Sequence, residues 1–75
     1  MKSTISPYEN LANAIILSAV ADYREVLQRW QQHPQKESYL AEKAMLERFF
    51  RSEWFSVLTS LDPEVLISKL VQEVA

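Results

Sequence analysis

Cations set among aromatic rings are the residues of this chain best suited to act on another molecule. Arg48 and Arg51 sit within the run Glu47–Phe55, with Lys43 and Lys36 upstream. That run carries Phe49, Phe50, Trp54 and Phe55, four aromatics in seven positions. Guanidinium and ammonium groups bind phosphates while a ring stacks on a base, and the same mixture anchors protein partners. Glu42, Glu47 and Glu53 interleave with the cations. The pattern therefore favours an ordinary solvated face, ahead of a protein-binding patch and then a nucleic-acid face built on Lys43, Arg48 and Arg51.

Other chemistry has less to stand on. His33 is the single histidine, and a lone imidazole could act as a general base. It precedes Pro34 with no nucleophile or acid beside it in sequence, so a helix-end or surface role is expected. Metal binding would need further His or Cys ligands, and the chain has no Cys. Glu37, Glu42 and Glu47 recur every five residues, a spacing that walks around a helix instead of aligning on one side. Ser52, Ser56, Thr59 and Ser60 belong to no nucleophile motif and suit caps and surface positions. The expectation is a protein that is not an enzyme, with no catalytic residues, cofactor or metal.

Composition narrows the class further. The 75 residues suffice for one domain, expected to span 1–75, and 48% of them are hydrophobic, with eight aromatics. A chain this short needs an efficient core, and disulfides cannot help. There is no glycine. Tight hairpins, phosphate-cradling loops and dinucleotide fingerprints all rely on glycine, so β-rich folds and nucleotide sites of those kinds are disfavoured. A formal charge of −2 does not suit a protein held to nucleic acid by phosphate contacts. Lys2 is not followed by the apolar core of a secretory leader, and the apolar run Ala14–Leu17 is far too short to cross a bilayer. A cytoplasmic protein with no membrane association is expected.

The elements that must position these residues read as helices. Ser6-Pro7-Tyr8-Glu9 is a helix start, with Ser6 as cap, Pro7 at the first position and Glu9 completing a capping box; residues 1–5 are expected to fray. Apolar residues then recur at Tyr8, Ala12, Ile15, Ile16, Ala19, Val20, Tyr23, Val26, Leu27 and Trp30, the stripe of an amphipathic helix. His33-Pro34 ends it, because the residue before proline avoids the α region. A second helix carries the stripe Tyr39, Ala41 or Glu42, Met45, Leu46, Phe49 and Phe50, with Lys36, Glu37, Lys43, Glu47, Arg48 and Arg51 on its solvated side. Ser52 either caps a third, short helix or marks a bend in a continuous one. Asp62-Pro63-Glu64 starts the last helix, whose stripe is Leu66, Ile67, Leu70, Val71 and Val74. The prediction is an all-α bundle of three to four helices at about 7–32, 35–51, 53–60 and 63–73, the first two antiparallel.

Adjacent residues on a helix differ by about 100°, so Phe49 and Phe50 cannot both face inward, nor can Trp54 and Phe55. Leu17, with Ala14 and Ala21, lies outside the main stripe of the first helix. A third helix covering that row is the expectation; a homodimer or a partner surface is the alternative. The residues expected on an interaction surface are Leu17, Arg48, Phe50, Arg51 and Trp54.

Three segments carry a family resemblance: Ala12–Arg24, Glu47–Thr59 and Leu61–Ile67. Together they resemble a group of small, uncharacterised accessory proteins encoded in prophages and integrative elements of Gram-positive bacteria. The resemblance implies a mobile-element or phage protein inside a bacterial host cell, and it implies no activity and no functional residues. Beside the residue reading, it leads to a small non-enzymatic protein-interaction module that binds a host or element protein, inhibition of a host defence system being one such role. A nucleic-acid-binding accessory using Lys43, Arg48 and Arg51 is the alternative, and a homo-oligomer overlaps the first reading.

Overall fold

Without glycine a positive φ is costly, and the described turns of this chain avoid it. The computed structural model describes residues 7–74, with side chains from residue 10 onward. Among the described residues no φ is positive and no peptide bond is cis. Four helices make up the described residues: α1 (Pro7–Gln32), α2 (Glu37–Phe50), α3 (Glu53–Leu58) and α4 (Pro63–Val74). There is no strand among them. The expected cap at Ser6, the Tyr8 side chain and the fraying of 1–5 lie outside the described residues.

The breaks between helices follow from local chemistry. After α1, the His33 N–H donates to the Arg29 carbonyl at 2.9 Å, and the Lys36 N–H donates to the His33 carbonyl at 3.1 Å. Pro34 sits inside that turn, where it has no N–H to lose. Ser52 separates α2 from α3 and answers whether they are continuous. Its backbone is extended (φ −78°, ψ 158°) and its Oγ accepts from the Phe55 N–H at 3.2 Å. The same hydroxyl donates to the Phe49 carbonyl at 2.6 Å. One side chain thus closes α2 and caps α3. Ser52→Ala is expected to lose about 1 kcal/mol, measured as a lower thermal midpoint. Asp62 caps α4 through Oδ1, which accepts from the Glu64 N–H at 2.9 Å.

The helix pairing is read from which side chains meet. Tyr23 touches Phe50, Trp30 lies beside Lys43, and His33 lies beside Tyr39. Numbers rise along α1 while they fall along α2, so the two are antiparallel. α4 begins beside the end of α2, where Arg51 meets Glu64, and finishes on the second half of α1, where Arg24 meets Glu73 and Gln31 donates to the Val74 carbonyl. The core between them holds Ile16, Val20, Tyr23, Val26 and Leu27 from α1, Phe50 from α2, Phe55 from α3, and Ile67 and Leu70 from α4. Each such side chain contributes about 1.5–3 kcal/mol on transfer from water.

Two expectations are corrected. No described helix covers the Leu17 row: α3 and α4 close the other flank of α1, leaving Leu17 68% exposed and Ala14 and Ala21 exposed beside it. Met45, placed in the core stripe of α2, is 67% exposed, because α2 turns it towards the open side of the α1–α2 pair.

Candidate interaction surface on the first helical hairpin

The cations singled out in the sequence do not form one basic face. Lys43 and Glu47, placed on the solvated side of α2, both turn partly inward. The reason is Tyr23, a fully buried tyrosine of α1 whose hydroxyl needs a partner. It donates to Glu47 Oε2 at 2.6 Å, and Lys43 Nζ donates to the same oxygen at 2.7 Å. Lys43 Nζ also lies over the Trp30 ring, 5.4 Å from its centroid. Arg51 grips Glu64 with two hydrogen bonds, at 2.6 and 2.9 Å, and reaches Glu47 at 3.9 Å. Arg48 is exposed and makes no ion pair among the described residues.

This network ties α1, α2 and α4 together, and its electrostatics follow from the contacts. Burial pushes the Glu47 carboxyl up, but the hydrogen bonds from Lys43 and Tyr23 and the charges of Lys43 and Arg51 outweigh it and hold the group below the usual range. Burial, then the hydrogen bond to Glu47, pushes the Tyr23 hydroxyl well above its ordinary value. The hydrogen bond from Arg51 lowers Glu64, and that from Arg24 lowers Glu73. Two of the three cations proposed for a nucleic-acid face are thus already engaged by carboxylates.

The aromatic segment divides between core and surface. Phe50 is fully buried, edge-on to Tyr23 at 5.5 Å and to Phe55 at 5.6 Å. It cannot belong to an exposed interaction surface, as the sequence reading had it. Its neighbour Phe49 takes the boundary position, half-buried, and Trp54 packs edge-on against it at 5.9 Å while remaining 57% exposed. Leu17 is exposed but stands apart, on α1 about 160° around the axis from Ile15. The five residues expected on one surface therefore do not converge.

What the sequence reading missed is a seam on the open side of α1 and α2. On α1 the residues facing it include Ala14, Ser18 and Ala19, all small; across from them α2 presents Leu46 and Phe49. Small side chains against large ones on neighbouring helices leave a hollow of about 420 Å³, floored by Ile15, Ala19, Leu46 and Phe49. A second hollow of about 310 Å³ adjoins it towards the α1–α2 turn, lined by Val26, Met45 and Leu46. Both share Asp22 and Leu46, so they are two parts of one groove. At the Phe49 end its apolar surface continues onto Trp54.

The groove's rim is charged unevenly. Asp22 and Glu25 from α1 and Glu42 from α2 border the second hollow, with Arg29 as the single cation. Arg29 pairs with Glu25 one turn before it. Asp22 and Glu42, on opposite helices, have no ion-pair partner among the described residues. No group of three or more His, Cys, Asp or Glu among the described residues could hold a metal ion. No helix among them is long and apolar enough to cross a membrane.

Compared with protein-family models, curated proteins and solved structures, the chain matches none.

Proposed function

We propose that this protein is a small, non-enzymatic interaction module that binds another protein through the groove between α1 and α2. The carrying observation is the groove itself: apolar residues line its floor, Met45 and Trp54 stand exposed at its two ends, and no other described helix covers it. Contiguous apolar surface of this kind, bordered by charge, marks interaction sites. The resemblance of Ala12–Arg24, Glu47–Thr59 and Leu61–Ile67 to mobile-element proteins supports placing the module in the cytoplasm of a bacterial host. There it acts as a phage or integrative-element accessory that engages a host or element protein, a defence component among them.

The test is affinity capture from nuclease-treated host lysate with the wild-type chain and with Ser18→Lys/Met45→Lys. Both positions are exposed, so the double variant is expected to keep its stability within about 0.5 kcal/mol while filling the groove with two long side chains. Wild type is expected to retain a protein that the variant does not. Equal recovery by both, or recovery that disappears with nuclease, would overturn the reading.

A further inference from the structure

We infer that the occupant of the α1–α2 groove is a basic amphipathic helix of about four turns. This rests on the interaction reading above and names the chemistry of the partner. The mode of docking follows from the fold. No strand edge for strand addition is available among the described residues, and an apolar hollow between two antiparallel helices suits a helix laid into it. A third helix set against two antiparallel ones buries its apolar stripe in the hollow between them. The groove lining runs from Ala14 to Arg29 on α1, about 22 Å at 1.5 Å per residue. That length accommodates roughly 15 residues of partner helix, with apolar anchors at i, i+3/i+4 and i+7.

The sign of the partner follows from the rim. Three carboxylates and one guanidinium border the Met45 end, and the guanidinium is engaged by Glu25. Asp22 and Glu42 remain, one on each wall and without ion-pair partners among the described residues. A helix lying between them with Lys or Arg flanking its apolar stripe meets a carboxylate on either side. An acidic helix, or the acidic wall of a second copy of this chain, meets like charge there, which opposes association. These carboxylates are solvent-exposed, so the affinity depends visibly on ionic strength.

The experiment titrates isotope-labelled full-length protein with synthetic 16-residue peptides followed by amide chemical shifts. The first is a Leu/Lys peptide with amphipathic helical spacing. The second is the same composition scrambled so that no apolar stripe forms. The third replaces every Lys with Glu. The amphipathic basic peptide is expected to bind, with shifts confined to residues 14–29 and 42–49. The scrambled and acidic peptides are expected to bind at least about tenfold more weakly, and Asp22→Asn/Glu42→Gln to weaken the basic peptide about tenfold at low salt. Equal binding of the scrambled peptide, equal binding of the acidic one, or an unchanged affinity in the double variant overturns the assignment. If groove-dependent capture from lysate succeeds while the basic peptide fails, the class of occupant is wrong and the interaction module stands. If both fail, both readings fall.

Discussion

Phe50→Ala is expected to remove about half of the protein's stability. Truncating a buried phenylalanine costs about 3–5 kcal/mol through lost transfer energy and the cavity left behind. A chain of 75 residues, at about 0.05–0.15 kcal/mol per residue, holds about 4–11 kcal/mol in total. Phe50 is the side chain on which Tyr23 and Phe55 both lean edge-on, so its removal loosens three helices at once. Urea titration followed by far-ultraviolet circular dichroism should show the midpoint fall by about half of its wild-type value. Trp54→Ala is the control: packed edge-on against Phe49 at the margin of the same cluster but 57% exposed, it should cost about 1 kcal/mol or less. Equal losses for the two would mean that core and surface aromatics have been exchanged.

The second large effect belongs to Glu47. Glu47→Ala is expected to cost about 2–3 kcal/mol, because it leaves the buried Tyr23 hydroxyl without an acceptor and Lys43 without its carboxylate. The same contacts give the stability a pH dependence with a definite sign. Glu47 ionises more readily in the folded chain than at its ordinary value of 4.5, so on acidification the unfolded chain takes up the proton first. The stabilisation is complete above about pH 4.5 and is lost as pH falls through the folded value. Glu64 and Glu73 act in the same direction from exposed positions, and salt screens them. In high salt the remaining acid loss should therefore belong mainly to Glu47, and Glu47→Gln should flatten it. On the alkaline side the sign reverses. Tyr23 resists ionisation in the folded chain relative to its ordinary value of 10.0, so its contribution is complete below about pH 10 and is lost as pH rises through the folded value. Tyr23→Phe should remove that alkaline loss while lowering stability at neutral pH.

These expectations show where sequence reasoning reaches and where it stops. Most helix ends are legible because they are decided locally: proline at 34 and 63, the cap Asp62 and the 3.6-residue stripe of α1 act over one or two turns, whereas Ser52 leaves open in sequence whether it caps a separate α3 or bends a continuous helix. The same stripe placed Ile16, Val20, Tyr23, Val26 and Leu27 inside. The choice between Phe49 and Phe50 was not legible, since neighbours about 100° apart are both consistent with one stripe until the partner helix is in place. Lys43 and Glu47 read as surface charges because the tyrosine that draws them inward is 24 positions away from Glu47. Leu17 seemed to require a cover; which flank of α1 receives α3 and α4 is a tertiary matter, and the other flank was left open. The groove escaped notice for the same reason. It exists only where the small residues of α1 meet the large ones of α2, and neither helix announces it alone.

The claim that everything functional here turns on is that the α1–α2 groove is where a partner protein sits. The most direct measurement is backbone hydrogen exchange of the full chain, free and bound to the protein recovered by capture. Protection gained on binding should fall on residues 14–29 and 42–49, which border the groove. Protection gained instead on α3 and α4, with residues 14–29 and 42–49 unchanged, would contradict it.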